Sequence, residues 1–297
     1  MRILVVPDLH LAHNVRQLER RIVELSPDLT LFLGDYFDNY GDSLQETRRT
    51  AQWLKDSLTM PSRVHLFGNH ELGYVDQFLG GYSGWTSEKY REIGTVLNRD
   101  DWSRLTFSHA EGSWLFTHAG LSRAALTHEN CNLSEVIPNA ESLSKAINDQ
   151  ASTALQHKVS LSSSVGPNHA SGEFRLGHDN HWYYGLYKMG KATKSEQEYV
   201  RFRHWSWMAS FRRGGYAPVP GFLWTDISEF VPIPGINQMF GHTRGSFPRS
   251  LKTDTSINYC IDTSLKFKLH HVAVVDTCSN VVQCYRINGS EAKVKEF

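Results

Sequence analysis

Five short clusters of chemistry-bearing residues are spread along this 297-residue chain. They are Asp8-Leu9-His10, Gly34-Asp35-Tyr36-Phe37-Asp38, Gly68-Asn69-His70-Glu71, Thr117-His118-Ala119-Gly120 and Gly241-His242-Thr243. Each offers a carboxylate, an imidazole or an amide oxygen, and none contains cysteine. Such donors suit Mn, Fe or Zn in a working site rather than a structural zinc. Two ions side by side need a shared carboxylate, and Asp35, central in the series, is the natural bridge. In two-metal hydrolytic sites the ions lie about 3.5–4 Å apart and lower the pKa of a bound water from about 15.7 toward about 7. Taken singly, each cluster has a plainer reading. An Asp-x-His or a Gly-Asp is ordinarily a turn, a Gly-Asn-His-Glu can be a loop with a capping Asn, and a lone His118 can be a core histidine. Their conjunction, in this order and each just after an expected strand, outweighs those readings.

The elements that must position these clusters follow from apolar patterning. Residues 3–6, 29–33 and 64–67 are short apolar runs, as expected of strands buried on both faces. Between them, Val15, Leu18, Ile22 and Leu25 recur at helical spacing after a potential cap at Asn14, and Ser26-Pro27 ends that helix. A second helix follows a Ser43/Glu46 capping box, with Leu44, Ala51, Leu54 and Leu58 as its stripe and Pro61 as its stop. Strand–helix–strand–helix–strand implies right-handed crossovers and parallel pairing. Residues 114–117 make a fourth strand. In open α/β sheets ligands bind beyond the carboxyl ends of the strands, so the clusters should converge on one rim. Gly34, Gly68, Gly120 and Gly241 beside them permit tight turns and close backbone approach.

Residues 124–220 break this pattern. Polar helical stretches alternate with a Ser-rich piece, and aromatic residues gather at Trp182, Tyr183, Tyr184, Trp205 and Trp207. This reads as an insertion or cap within a single domain covering 1–297, because cluster residues resume after it. From Leu223 onward, runs at 238–240, 257–261, 271–275 and 281–285 predict strands separated by polar turns, as in an antiparallel meander.

Composition limits the partners. With 31 Lys+Arg against 31 Asp+Glu, the chain has no dominant basic face for nucleic acid. Its apolar content of 40% is enough for a real core. No apolar run approaches the roughly 20 residues of a membrane helix. The opening residues run straight into an acidic cluster, so they read as a first strand rather than a leader. Cys131, Cys260, Cys278 and Cys284 form no CxxC pair, which predicts a reduced, cytoplasmic setting.

As a set, the five clusters, extended to His118-Ala119-Gly120-Leu121-Ser122, resemble the calcineurin-like metallophosphoesterases. They look closest to the phosphoprotein-phosphatase branch, which includes Ser/Thr protein phosphatases and diadenosine tetraphosphatases. Leu223-Trp224-Thr225-Asp226 and Ile261-Asp262-Thr263 add to that likeness, which covers about residues 1–122 and 222–287. The resemblance implies a four-layer αββα sandwich of two mixed β-sheets flanked by helices. It implies that Asp8, His10 and Asp35 bind a first divalent metal and that Asp35, Asn69, His118 and His242 bind a second. Mn2+ is the first expectation for both ions, with Fe or Zn as alternatives. His70 would protonate the leaving group and Asp38 would orient His70. Three departures stand out. Asn39-Tyr40 replaces the family's common Arg-Gly, so the phosphate-binding Arg is absent there. Leu11 stands where Gly is frequent. Arg244 occupies the second His position of the Gly-His-x-His found in other branches. Arg244, Arg123 and Asn39 are candidate substrate contacts, with the Arg212-Arg213 pair in competition.

The leading expectation is hydrolysis of phosphate esters or phosphoanhydrides. The expected substrate is a small phosphorylated molecule or nucleotide in preference to a phosphoprotein, because the aromatic middle stretch would narrow access if it folds over the rim; the same aromatic residues could instead pack the insertion against the sandwich. Alternatives are a Ser/Thr protein phosphatase, a phosphodiesterase or nuclease, and a non-catalytic scaffold on the same fold. A scaffold predicts missing ligands, and none is missing.

Overall fold

The first strand, β1 (Arg2–Val6), is apolar at four consecutive positions because both its faces are covered. Ile3 and Val5 enter one buried cluster with Leu31, Trp114, Phe116 and Met239, while Leu4 and Val6 enter another with Leu18, Leu25, Ala51 and Leu54. The first cluster lies between two β-sheets, and the second lies under helices. The structure is a computed structural model that describes residues 1–75, 83–126, 139–164, 209–214, 219–264 and 268–297.

Helix α1 (Val15–Leu25) connects β1 to β2 (Leu29–Phe32), and α2 (Leu44–Ser57) connects β2 to β3 (Arg63–His65). The three strands pair in parallel, as the alternation of elements predicts. The Ser43/Glu46 capping box is present in full. Two details differ from the sequence reading. Asn14 stands at the start of α1, but its side chain bonds both the N–H and the carbonyl of Leu269 instead of capping the helix. Leu44 is exposed, and Thr47, Ala51, Leu54 and Ser57 form the buried face of α2. The hydroxyl of Thr47 bonds the Ser43 carbonyl, which lets a polar residue sit inside.

Three short helices follow, α3 (Leu72–Val75), α4 (Ser87–Gly94) and α5 (Arg99–Trp102). Then β4 (Ser108–Glu111) pairs antiparallel with β5 (Trp114–Thr117). Helices α6 (Arg123–Leu126) and α7 (Ala140–Ser164) come next. Leu143 and Ile147 of α7 pack in the same cluster as Leu115, on the side of β5 opposite Trp114 and Phe116. The Asn148 side chain accepts from the N–H groups of Phe107 and Ser108, which satisfies backbone at the edge strand β4. So the beginning of the middle stretch covers the second sheet. The aromatic residues Trp182, Tyr183, Tyr184, Trp205 and Trp207, and Cys131, lie outside the described residues.

The closing strands are β6 (Asn237–Phe240), β7 (Arg249–Lys252), β8 (Ile257–Cys260), β9 (His271–Asp276), β10 (Val281–Arg286) and β11 (Lys295–Glu296). They do not form the expected meander. One sheet has the order β10-β9-β1-β2-β3 and the other β11-β7-β8-β6-β5-β4. β5, β6 and β8 are mutually parallel neighbours. β9 leaves the second sheet altogether and pairs antiparallel with β1. Both sheets are therefore mixed, packed face to face and flanked by helices. A strand's alternation says which residues are inside but not which strand is its neighbour, so the meander was the wrong partner choice. No helix among the described residues is long and apolar enough to cross a membrane.

His65, at the end of β3, makes the fold acid-sensitive. It is 2% exposed, stacks on Phe32 at 4.4 Å, and bonds Ser57 Oγ and Tyr36 OH. Burial, reinforced by the Arg63 charge, lowers its pKa from 6.5 to about 3. The unfolded chain then binds a proton that the folded chain refuses. Stability from this group is complete above the unfolded value and is lost as pH falls toward the folded one. Chemical denaturation should show about 2 kcal/mol less stability at pH 5 than at pH 7 from His65 alone. In His65→Gln that part of the difference should vanish, and an unchanged pH slope would assign it elsewhere.

Candidate metal centre

The five clusters converge where the parallel strands of both sheets end. β1, β2 and β3 deliver Asp8, Asp35 and Asn69, while β5 and β6 deliver His118 and His242. The loops interlock through backbone bonds. Leu9 and His10 both donate N–H to the Asp35 carbonyl, and Gly241 donates to the carbonyl of His118. Among the described residues, five of the seven non-glycine residues with positive φ lie in these loops: His10, Leu11, Asp35, Asp38 and His242. Strain of this kind persists only where the surroundings over-determine it, and it concentrates at functional sites. Leu11, in the position where glycine was expected, takes φ 59° and is 2% exposed, so side-chain burial offsets the backbone cost. At Gly68 the requirement for glycine is steric, since a Cβ there would lie 2.2 Å from Asp35 Oδ1.

Asp35 is the hub. Its Oδ2 lies 3.6 Å from His10 Nε2, 3.5 Å from His118 Nε2 and 4.0 Å from His70 Nε2. Two donor groups can be drawn, His10-Asp35-His70 and Asp35-His118-His242, each with its donor atoms within 4.8 Å of one another. Asp35 belongs to both. Asp8 Oδ2 stands 4.0 Å from His10 Nε2, and the Asp8 carboxylate accepts the His242 N–H. Asn69 Oδ1 lies 2.9 Å from His118 Nε2, which in turn lies 3.1 Å from His242 Nδ1. Thus all six residues expected as ligands are gathered, and His70 joins them.

Donor orientation is set from behind. His10 donates Nδ1–H toward the carbonyls of Phe37 and Asp38, and His118 donates Nδ1–H to the Leu33 carbonyl at 2.8 Å. Those bonds leave both Nε2 lone pairs directed at the centre. Glu71 accepts the N–H groups of Asp35, Tyr36 and Gly68, clamping two loops together. Burial, then the Asp35 charge, pushes the Glu71 carboxyl up to about 8.

The electrostatics fit cation binding. Burial lowers the pKa of His10, His118 and His242, so these rings are neutral and able to donate lone pairs. Burial works against the charge on Asp35, yet His118, His70, His10 and His242 hold its carboxyl below the ordinary range. Burial pushes Asp8 up, and the nearby carboxylates of Asp262 and Asp35 push it further. Several carboxyl groups thus crowd one buried site, an arrangement that cations relieve. His118 Nε2, left as a lone pair by the bond from Nδ1 to the Leu33 carbonyl, faces Asn69 Oδ1 at 2.9 Å, two acceptors brought together as a shared cation would hold them. These residues fit divalent ions.

The expected acid pair is also in place. His70 Nδ1 meets Asp38 Oδ2 at 2.9 Å. Burial opposes the charged ring, but Asp35 and Asp38 prevail and raise His70 to about 9. The proposed substrate contacts are less uniform. Asn39 is used locally, its amide donating to the His10 carbonyl. Arg244 is exposed and its charge reaches His10. Arg123 is exposed on α6. Arg213 reaches Thr243 Oγ1 at 2.8 Å and Asp226 Oδ2 at 2.9 Å, and its charge bears on His242.

Reading the sequence missed two participants. Asp262 is 1% exposed and acts on Asp8, although its chain segment was noted only as a family likeness. Lys89 is 5% exposed and contacts Asp38. A lone lysine on a short helix reads as solvated, and nothing local marks it otherwise.

No curated protein sequence matches the chain. Among solved structures, a metallophosphoesterase from Sphaerobacter thermophilus is 21% identical with a TM-score of 0.27, over 40% of this chain and 47% of that one. The chain thus spans about half the length of that relative. Yfce, a phosphoesterase from E. coli, is 8% identical with a TM-score of 0.39, over 98% of this chain and 96% of that one. TT1561 of Thermus thermophilus is 9% identical with a TM-score of 0.36, over 96% of this chain and 98% of that one. A sequence profile of the calcineurin-like phosphoesterases matches residues 1–199, well over half of the chain. With that match over the first three clusters and the fourth, the chain belongs to the calcineurin-like phosphoesterase family.

Proposed function

We propose that this chain is a dinuclear metal-dependent phosphoesterase. The observation that carries the reading is Asp35, whose carboxylate belongs to both donor groups. Asp8, His10 and Asp35 would hold one ion, and Asp35, Asn69, His118 and His242 the other. Divalent ions bound there would supply Lewis acidity toward phosphoryl oxygens and a water of lowered pKa. The protein's own groups do the rest. Neutral imidazoles turn their lone pairs inward, Glu71 keeps the loops in register, and Asp38 keeps His70 in the tautomer that carries hydrogen on Nδ1. His70, protonated at neutral pH, delivers a proton to the departing oxygen. Metal analysis of protein loaded with Mn2+, Zn2+ or Fe2+ tests the count, and Mn2+ is the first expectation. A stoichiometry of two per chain with metal-dependent phosphate release supports the proposal. Full metal-free activity, or a single bound ion, would overturn it.

We infer further that the substrate is a small phosphorylated molecule or nucleotide. The support is compositional: Trp182, Tyr183, Tyr184, Trp205 and Trp207 crowd the stretch between His118 and Leu223. Aromatic rings of this kind stack on bases, each worth about 1–3 kcal/mol. Replacing residues 165–208 by a short Gly-Ser linker should lower kcat/KM on nucleotides roughly 10–100-fold. Turnover of p-nitrophenyl phosphate, which has no base to bind, should stay within a few-fold. Efficient hydrolysis of a phosphopeptide by the intact chain, with none of nucleotides, would give the protein-phosphatase reading instead.

A further inference from the structure

The His70–Asp38 pair is gripped by residues outside the five clusters. Lys89, on α4, lies outside all five clusters, yet its side chain is buried. Its ammonium lies 2.6 Å from Asp42 Oδ2, 2.6 Å from the Gly84 carbonyl and 3.2 Å from Asp38 Oδ1. Those acceptors match the three donors an ammonium possesses. The two oxygens of Asp38 are thereby divided. Oδ1 receives Lys89 and the hydroxyl of Tyr74, and Oδ2 receives His70 Nδ1. Main chain closes the remaining side, because a Cβ on Gly84 would come 2.8 Å from Asp38 Cβ. The lysine is itself fixed, with its N–H on the Thr86 hydroxyl that caps α4. The indole of Trp85 ties the preceding turn to the Gly73 carbonyl.

A buried ammonium shared by two carboxylates adds little net stability over an apolar packing of the same volume. Its distinctive effect is geometric, since it leaves the Asp38 carboxylate one rotation. We propose that Lys89 is a positioning residue: by anchoring Asp38 Oδ1 it holds Oδ2 against His70 Nδ1, so that the ring presents Nε2 toward Asp35. The proposal rests on the reading of His70 as the proton donor for its functional meaning, but the positioning itself is testable without turnover. Partners behind a functional imidazole are typically worth 10–100-fold in activity.

The test uses the full chain with 15N-labelled histidine. The His70 Nδ1–H proton, hydrogen-bonded to a carboxylate, should give a downfield resonance that disappears in His70→Gln. In Lys89→Met that resonance should broaden or move upfield as Asp38 gains freedom. The same variant should lose 10–100-fold in kcat on an alkyl phosphate such as glycerol phosphate, with KM and bound metal unchanged. On p-nitrophenyl phosphate it should lose less than tenfold, because a phenolate needs little protonation. Lys89→Arg should recover part of both signals. If Lys89→Met folds poorly, the pair Lys89→Met and Asp42→Asn removes the second unmatched charge. Tyr74→Phe then tests the neutral donor on the same oxygen. An unmoved resonance in the folded variants, or equal slowing of both substrates, would overturn the proposal. A moved resonance in a protein that hydrolyses no phosphate ester would uphold the positioning and sink the proposed function instead.

Discussion

Asp35→Asn should abolish nearly all turnover and strip bound metal while leaving the fold intact. The carboxylate is shared by both donor groups, so no other residue can replace it at both. The substitution keeps volume and removes the charge that four imidazoles face. Several kcal/mol of transition-state stabilisation accompany the ions in such sites. Each 1.36 kcal/mol is tenfold in rate, so kcat/KM should fall by about 10³ or more. Folding should survive because the backbone at this position is held independently. The Asp35 N–H is bound by Glu71, and its carbonyl by Leu9 and His10. Circular dichroism should therefore be unchanged, while metal analysis should show loss of at least one ion. Wild-type metal content with near-normal activity would remove the bridging role.

The second large effect is expected at His70 and should depend on the leaving group. Asp38 holds Nδ1, and together Asp35 and Asp38 raise the ring to about 9, so it carries its proton at neutral pH. General acid catalysis contributes roughly 10²–10⁴-fold and matters most for leaving groups of high pKa. His70→Ala should lose that much on alkyl phosphates and far less on p-nitrophenyl phosphate. Metal analysis belongs beside the kinetics, because His70 also sits in a donor group with His10 and Asp35. Equal slowing of both substrates together with metal loss would make His70 a ligand rather than an acid.

Much of this centre was legible in the chain alone, and for local reasons. An apolar run that ends in Asp, His or Asn is a strand delivering a donor, and five such endings in order define a rim whatever encloses it. Asp35 as hub, the capping box of α2 and the parallel β1-β2-β3 order all follow from spacing and residue type over a few tens of residues, whereas the pairing of His70 with Asp38 was implied by the family resemblance. What tertiary structure decided involves partners far apart in sequence. The division of the closing strands between two sheets depends on which buried face each strand meets, and alternation carries no record of that. Asn14 was claimed by Leu269, about 255 positions away, through two hydrogen bonds that outcompete a local cap. Asp262 acquires meaning only beside Asp8, and Lys89 only beside Asp38. An isolated charge in sequence reads as solvated because water is its usual partner. Only the folded chain, by removing that water and supplying two carboxylates, turns Lys89 into part of the site.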